Sequence, residues 1–302
     1  MIYTVTLNPS VDYIVGLANF EAGQVNIVDQ DKKFAGGKGV NVSRVLHKLG
    51  YESRALGFVG GFTGEFIETA LTEEGLSPRF IKVEGDTRIN IKLKADVETE
   101  INGLSPNIDE SSLATLYGQL SELKSGDIVV LAGSVPSSIP SSIYSRIIES
   151  LPQGVETIVD TKGAALKEVV DSKPFLVKPN HHELGEFFGV QITSIEEAIS
   201  YGRQLREFGA QNVIISLAEK GAVFLSSQGD FVGNAPKGKV RNSVGAGDSV
   251  VAGFLSTYLS TRNLKDAFHT GIAAGSASAF SNDFCSKEDI ETLKTQIIVS
   301  SI

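Results

Sequence analysis

The sequence predicts an α/β fold in three layers, with helices on both faces of a mostly parallel central sheet. Two observations predict this class. Short β-rich runs alternate with longer helical runs through most of the 302 residues. The β-rich runs are bounded by Gly, Pro, Asp or Asn, which are typical of the turns between such elements. Alternation of this kind implies parallel strands connected by helices.

The elements follow in order along the chain. The segments with the character of strands are Tyr3 to Leu7, Ser53 to Val59, Ile128 to Leu131, Thr157 to Asp160, Phe175 to Lys178 and Val213 to Leu217. The helical stretches are about 38–49, 64–74, 110–124, 140–150, 194–208, 248–260 and 264–281. Active sites in open α/β sheets lie beyond the carboxyl ends of the strands, so residues in those positions are the first candidates.

Two segments, about 11–34 and 87–103, interrupt this alternation. Apolar and polar residues alternate in both, which indicates antiparallel strands with one polar face. We expect them to form a small sheet that lies over the active site as a lid, within a single domain spanning residues 1–302. If one face of this sheet is apolar, pairing with a second copy would cover it, so we expect a homodimer joined through the lid.

Composition and charge exclude several classes of function. The net charge of −9 argues against a nucleic-acid-binding protein, which needs a basic face. No run approaches the roughly 18 apolar residues of a membrane span, and the first residues resemble a strand rather than a signal peptide. Cys285 is the only cysteine, so neither an internal disulfide nor a cysteine-based zinc cluster is expected. A cytoplasmic location without a membrane partner follows.

The most informative motif is Val244-Gly245-Ala246-Gly247-Asp248, which precedes an apolar run. Its glycines let the backbone approach a ligand closely, and the first N–H groups of the helix that follows favour an anion such as phosphate. An acid beside an anion site is unfavourable unless it handles a proton, so Asp248 indicates phosphoryl transfer with a carboxylate base. Alternatively, Asp248 is an ordinary first-turn cap. A dinucleotide-binding loop is disfavoured because Val250 replaces the third glycine.

A second glycine-rich segment, Gly36-Gly37-Lys38-Gly39-Val40-Asn41, precedes the first predicted helix. It is not a Walker-type P-loop, because Gly39 follows the lysine where Ser or Thr is required. The glycines permit close backbone contact, and Lys38 and Asn41 could both face a polyhydroxylated ligand. The alternative is a tight turn with a surface lysine.

Asp12 stands just after the first predicted strand, in the segment Asn8-Pro9-Ser10-Val11-Asp12. At the carboxyl end of a strand it could accept hydrogen bonds from the hydroxyl groups of a substrate. Taken by itself, the segment is only a turn signal.

In this order along the chain, these motifs resemble those of the PfkB family of carbohydrate kinases within the ribokinase superfamily. The resemblance covers nearly the whole chain, and it also includes the glycine-rich turn 57–64 and an Asn-x-x-Glu motif at Asn180 and Glu183. It implies a ribokinase-like fold, ATP as phosphoryl donor and Mg²⁺ as cofactor. Segments 87–93, 98–103 and 132–136 are most similar to members that phosphorylate fructose 1-phosphate at the C6 hydroxyl, giving fructose 1,6-bisphosphate.

Two alternatives remain open within and beyond the family. The same scaffold carries kinases of tagatose 6-phosphate and fructose 6-phosphate, which are also ketohexose phosphates. A non-catalytic sugar-phosphate sensor is the alternative from another class, although an intact Asp248 speaks against it.

The resemblance also implies a role for each candidate residue. Asp248 would be the base, and the N–H groups around Gly245, Ala246 and Gly247 would stabilise the transferring phosphoryl group. Mg²⁺ would be held largely through water by Asn180 and Glu183, which could equally form a capping box. The implied nucleotide contacts are Ser216, Gly221, Gly247 and Lys178. The implied substrate contacts are Asp12, Gly37, Lys38, Asn41, Arg88 and Asn90. Of these, Arg88 and Lys38 are expected to face the lid side of the cleft. Whether Lys92 also contacts the ligand is left open.

Overall fold

The structure is a computed structural model that describes all residues from Met1 to Ile302. Its strands are Ile2–Thr6 (β1), Ser10–Gly16 (β2), Gln30–Gly36 (β3), Ser53–Val59 (β4), Ile81–Lys82 (β5), Ile89–Lys94 (β6), Thr99–Asn102 (β7), Ile128–Ala132 (β8), Glu156–Asp160 (β9), Leu176–Val177 (β10), Asn212–Ser216 (β11), Ala222–Ser226 (β12), Gly229–Gly233 (β13) and Val299–Ser301 (β14). Its helices are Lys38–Lys48 (α1), Gly61–Glu73 (α2), Glu110–Ser121 (α3), Ile143–Ser150 (α4), Gly163–Val169 (α5), His181–Phe188 (α6), Ile195–Glu207 (α7), Ala246–Thr261 (α8), Leu264–Phe280 (α9) and Lys287–Lys294 (α10).

Ten strands form one large sheet in the order β14-β13-β12-β11-β10-β9-β8-β1-β4-β5. The seven strands from β11 to β5 in this order are parallel, and β12, β13 and β14 continue the sheet antiparallel at one edge. All six strands predicted for the central sheet lie in the parallel part. The antiparallel edge was not predicted, and neither was β5, whose two residues are too few to show a period.

Helices cover both faces of the large sheet, which confirms the three-layer fold. In β8, Val129 and Leu131 pack on one side against residues of α3 to α7, and Val130 and Ala132 pack on the other against α1, α8 and α9. Every predicted helix is present, but α8 begins at Ala246 rather than at residue 248. Helices α5, α6 and α10 are absent from the predicted helical stretches, although the capping box considered at Asn180 and Glu183 lies at the start of α6. No helix combines the length and the apolar character that a membrane crossing requires.

A separate four-stranded sheet, in the order β3-β2-β6-β7, forms from the two segments that interrupt the alternation. We call it the lid sheet. The outer pairs are antiparallel, whereas β2 and β6 run parallel, with Asp12 opposite Asn90 and Ile14 opposite Lys92. One face presents Asp12 and Lys92 to a cavity, and the other carries a small apolar cluster of Val15, Leu17 and Leu93.

The carboxyl ends of the parallel strands supply the polar groups of the site. Asp160 ends β9, Lys178 follows β10 and Ser216 ends β11. Helices α1, α6 and α8 begin at the same edge of the sheet, so the N–H groups of their first turns also face it. The fold thus brings strand ends and helix N-termini together, as expected for a parallel sheet.

Candidate active site

The N-terminus of α8 presents unpaired backbone donors. Gly245 caps the helix in the left-handed conformation, with φ of 77°, and its carbonyl accepts from both the N–H and the hydroxyl of Ser249. The N–H groups of Gly247 and Asp248 donate to no group in the protein, whereas that of Ala246 donates to the Ser243 carbonyl at 3.3 Å. Gly247 and Asp248 therefore supply the free donors of the first turn, and the donor of Asp248 was missed in the sequence.

Asp248 is a buried carboxylate, only 5% exposed, in the first turn of this helix. Its Oδ2 accepts a hydrogen bond of 2.8 Å from Nδ2 of Asn41, which lies on α1. Burial raises the pKa of Asp248 to about 6, and the charge of Asp160 adds to this effect, while Lys38, Asn41 and Lys178 oppose it. A carboxylate with this pKa is ionised at neutral pH and is a stronger base than an exposed aspartate.

Two lysines meet at Asp160, a residue that was not predicted as part of the site. Lys38 Nζ lies 2.6 Å from Oδ1 of Asp160, and Lys178 Nζ lies 3.0 Å from Oδ2. Burial would raise the pKa of Asp160, but the two ammonium groups outweigh it and lower that pKa. Lys38 thus lies at the catalytic edge of the sheet with Asp160, rather than with Arg88 on the lid side as expected.

Lys178 also lies against the catalytic turn. A Cβ atom added to Gly247 would be 3.2 Å from Nζ of Lys178, so the glycine leaves room for this ammonium group. A side chain that is 4% exposed and carries a charge needs a partner, and Asp160 is that partner. The free N–H groups of α8 and two ammonium groups therefore surround one small region, which can stabilise several negative charges.

Asn180 and Glu183 form the capping box of α6. Oδ1 of Asn180 accepts from the Glu183 N–H at 2.8 Å, and Oε2 of Glu183 accepts from the Asn180 N–H at 2.9 Å. The remaining carboxylate oxygen of Glu183 lies 3.6 Å from Lys38 Nζ. No cluster of three or more Asp, Glu, His or Cys side chains is arranged to hold a metal ion. Oε1 of Glu183, which the capping box does not use, is the side-chain oxygen of this pair that fits Mg²⁺ bound mainly through water, as this ion prefers.

Ser216 and Gly221 lie at the two ends of a turn after β11. Ser216 makes a parallel bridge to Asn180, and its N–H donates to the Pro179 carbonyl at 3.2 Å. Gly221 has φ of 92°, and a side chain there would collide with the carbonyl of Gly233. The structure thus places Ser216 beside the catalytic edge, while the geometry of Gly221 is explained by the turn itself.

On the lid side, Asp12 is held by three donors: Ser10, Asn90 and Lys92. Glycine is required beside it on β3, because a Cβ atom on Gly36 would be 2.5 Å from the Asp12 carboxyl carbon. Gly37 has φ of 117° and lies against Pro9, so it too excludes a side chain. These glycines therefore let the end of β3 pack against Asp12 and the start of α1 pack against the turn after β1.

Arg88 lies just before β6 and donates to backbone carbonyls instead of a carboxylate. Its Nη2 is 3.0 Å from the Asn8 carbonyl oxygen and its Nε is 3.4 Å from that of Pro9. The side chain of Asn8 in turn donates to Ser134 Oγ at 3.1 Å. Arg88 thus forms no direct ion pair, although the charge of Asp12 acts on it, and it lies beside Asn8 and Ser134, which the sequence did not single out as site residues.

A cavity of about 290 Å³ connects the lid sheet with α1 and the catalytic turn. Asp12 and Lys92 line it from the lid, Asn41 from α1, and Val244 and Phe284 from the opposite side. A cavity of this size suits a small ligand. Of the residues implied by the sequence, Asp248, Asn41, Lys38 and Lys178 are brought together at the catalytic edge, and Asp12, Asn90 and Arg88 at the lid.

Comparison with known proteins gives a consistent result. Residues 5–289 match the model of the pfkB family carbohydrate kinases. The chain is 51% identical to the 1-phosphofructokinase of Bacillus subtilis strain 168, over all of both chains. It is 42% identical to the 1-phosphofructokinase of Borreliella burgdorferi, covering 100% of this chain and 99% of that protein. The structure of Escherichia coli phosphofructokinase-2 in complex with fructose-6-phosphate is similar with a TM-score of 0.89 and 27% identity, covering 97% and 98% of the two chains.

Proposed function

The chain belongs to the pfkB family of carbohydrate kinases, and we propose that it transfers the γ-phosphoryl group of ATP to the C6 hydroxyl of fructose 1-phosphate. The products are fructose 1,6-bisphosphate and ADP. The observation that carries the chemistry is the buried Asp248 beside the free N–H groups of α8. The choice of sugar is supported by the two relatives named 1-phosphofructokinase that align over the whole chain.

Asp248 is the general base of the proposed reaction. It takes the proton of the C6 hydroxyl while the hydroxyl oxygen forms a bond to the γ-phosphorus, and the bond from that phosphorus to the bridging oxygen of ADP breaks. Asn41 holds the carboxylate in place through its hydrogen bond of 2.8 Å. In a loose transition state, positioning and charge stabilisation contribute more than proton removal, so a base with a pKa of about 6 is sufficient.

The negative charge of the transferring group is stabilised by the catalytic edge. The N–H groups of Gly247 and Asp248 are free to donate to its oxygens, and Gly245 and Ala246 fix the turn that aims them. Lys38 and Lys178 supply positive charge from the other side. Because these groups are buried and already oriented, they need little reorganisation during the reaction.

The remaining contacts follow the two sides of the cleft. Asn180 and Glu183 would hold Mg²⁺ through water, and the ion would neutralise charge on the phosphates of ATP. The nucleotide lies along Lys178, Ser216 and Gly221. On the lid side, the substrate hydroxyls contact Asp12, Gly37, Asn41 and Asn90. Arg88 is the residue best suited to bind the phosphate group of the sugar, because no carboxylate is paired with it.

The proposal includes a cytoplasmic homodimer joined through the lid sheet. The support is apolar side chains that are exposed in and around this sheet: Val25 is 94% exposed, Ile27 84% and Leu104 93%. Large apolar side chains exposed in this way are candidates for a contact between subunits. ATP and a sugar phosphate as substrates are consistent with a cytoplasmic reaction.

A substrate panel tests the function. Initial rates are measured with fructose 1-phosphate, tagatose 6-phosphate and fructose 6-phosphate at equal concentrations of Mg-ATP. We expect kcat/KM for fructose 1-phosphate to exceed the other two by at least about tenfold, or about 1.4 kcal/mol of transition-state binding. Equal turnover of the three sugars would contradict the assignment. No ATP consumption with any of them would favour a sugar-phosphate sensor.

A further inference from the structure

Both oxygens of the Asp12 carboxylate are occupied by donors from the protein. Oδ1 accepts from Ser10 Oγ at 2.8 Å and from Asn90 Nδ2 at 3.4 Å. Oδ2 lies 3.2 Å from Nζ of Lys92. A carboxylate can accept about four hydrogen bonds, so these three contacts fix its orientation and leave roughly one position for a ligand.

Lys92 is buried and its charge is directed at Asp12. The side chain is 9% exposed, and Asp12 is the only carboxylate within 4 Å of its ammonium group. In the parallel pairing of β2 and β6, Asp12 lies opposite Asn90, and Lys92 is one alternation further along the same face. Lys94 is the next residue on this face, but it is less buried and forms no ion pair.

Asn90 adds a second acceptor beside Asp12. Its Nδ2 is used by Asp12, and its Oδ1 is buried without a hydrogen-bond partner. A buried polar atom without a hydrogen-bond partner is unfavourable unless a ligand supplies that partner. Asp12 and Asn90 together offer two neighbouring acceptors, which match two adjacent hydroxyl groups of a sugar.

We propose that Lys92 is a positioning residue that acts through Asp12, holding its carboxylate toward the hydroxyl groups of the sugar, and that it does not bind the substrate's phosphate. This inference rests on the proposed function of the site. The charge of an ammonium group that already compensates a buried carboxylate is largely offset, so it attracts a phosphate less strongly than an unpaired cation does. The preference for a phosphorylated sugar then depends on other cations, such as Arg88.

A double-mutant cycle tests this inference. Lys92→Met keeps much of the length of the side chain without its charge, Asp12→Asn removes the charge of the partner, and the third variant combines both. Lys33→Met is the matched control, since Lys33 lies on β3 of the same lid sheet, is half exposed, pairs with Asp31 and does not line the cavity. KM and kcat for fructose 1-phosphate are measured for each variant at saturating Mg-ATP.

We expect Lys92→Met to raise KM about 10- to 100-fold, in the range of measured coupling energies, and to leave kcat within about threefold. If Lys92 acts only through Asp12, the double variant has the KM of Asp12→Asn within about threefold. Lys33→Met is expected to leave KM unchanged, because Lys33 does not line the cavity. Multiplication of the two single effects in the double variant would overturn the inference, and so would an unchanged KM in Lys92→Met.

The design separates this inference from its alternatives. If Lys92→Met alone fails to fold, Asp12→Asn and the double variant still decide, because neither contains an unpaired Asp12 charge. If the wild type turns over another ketohexose phosphate instead, the proposed function fails and the cycle is measured with that sugar. If it turns over none, binding of fructose 1-phosphate by calorimetry replaces KM, with the same expected pattern.

Discussion

The catalytic edge of the large sheet and the cavity face of the lid sheet are built in different ways. At the catalytic edge, Asp160 and Asp248 are at most 5% exposed and are held by residues from separate helices and strands. On the lid, Asp12 is held mainly by near neighbours on the same two strands. The first arrangement depends on how separate elements pack around the core of the protein, whereas the second depends on contacts within one small sheet. We therefore expect changes at the catalytic edge to lower kcat and changes on the lid to raise KM.

The largest expected effect is that of Asp248→Asn. It removes the base while keeping the size of the side chain, so kcat should fall at least about 10²- to 10⁴-fold. Asp12→Asn is the matched change on the lid and should act mainly on KM for the sugar phosphate. Steady-state kinetics with both substrates varied measures the two parameters for each variant. Similar losses of kcat in both variants would break the distinction between the two regions.

Gly245→Ala should have the next largest effect. The residue has φ of 77°, and a Cβ atom would collide with the ring of Phe284, which also lies under the guanidinium of Arg44. The left-handed conformation costs about 1–2 kcal/mol for alanine, so kcat should fall about tenfold or more if the turn shifts.

Gly126→Ala is the control for this change. Gly126 has φ of 89°, and a Cβ atom added there would have no neighbour within 4 Å, so the variant carries the same backbone strain without the collision. Thermal denaturation of both variants distinguishes a loss of stability from a loss of catalysis. Equal kcat values for Gly245→Ala and the wild type would show that the fit of residue 245 against Phe284 does not position the catalytic turn.

The sequence predicted the catalytic turn and the lid more completely than it predicted the ion pairs that join distant parts of the chain. Gly245 and Asp248 are close together in the chain, and their spacing alone indicates a helix N-terminus with an acid. Lys38 and Asp160 are 122 positions apart, so their pairing depends on which strand ends become neighbours. A single sequence does not supply that information. Asp160 also ends an ordinary buried strand, and nothing in its local pattern distinguishes it from a turn residue.

Some elements of the large sheet were also missed. The antiparallel edge formed by β12, β13 and β14 was not predicted, although β12 and β13 have five residues, as many as β1 and β8, which were predicted. Only β14, with three residues, is too short to show an alternation. In the catalytic turn, the sequence did not distinguish the N–H of Ala246, which is used within the turn, from that of Asp248, which is free. That difference arises from the start of α8 at Ala246.

A smaller effect is expected from a change in the outer surface of the lid. Ile27→Asp places a charge on a side chain that is 84% exposed, so it should convert a dimer into a monomer without altering the catalytic edge. We expect kcat to change by no more than about twofold, the size that surface changes of about 0.5 kcal/mol produce. Light scattering after size exclusion measures the mass.

Ile298→Asp is the control for the lid change, because Ile298 is 72% exposed near the opposite edge of the large sheet. It should leave the dimer intact. A wild-type mass of one chain would remove the proposed dimer, and dissociation by Ile298→Asp would place the contact elsewhere.

The pH dependence of kcat/KM for the sugar phosphate tests the central claim, that an ionised Asp248 accepts the proton of the sugar hydroxyl. Burial, with the charge of Asp160, raises the pKa of this carboxyl to about 6. The active form is the deprotonated one, and kcat/KM reports the pKa of the free enzyme, so kcat/KM should be constant above about pH 7, half-maximal near pH 6, and fall about tenfold per pH unit below that. Circular dichroism over the same range monitors folding. A kcat/KM that stays constant down to about pH 5 in the folded protein would contradict the role of Asp248 as the base.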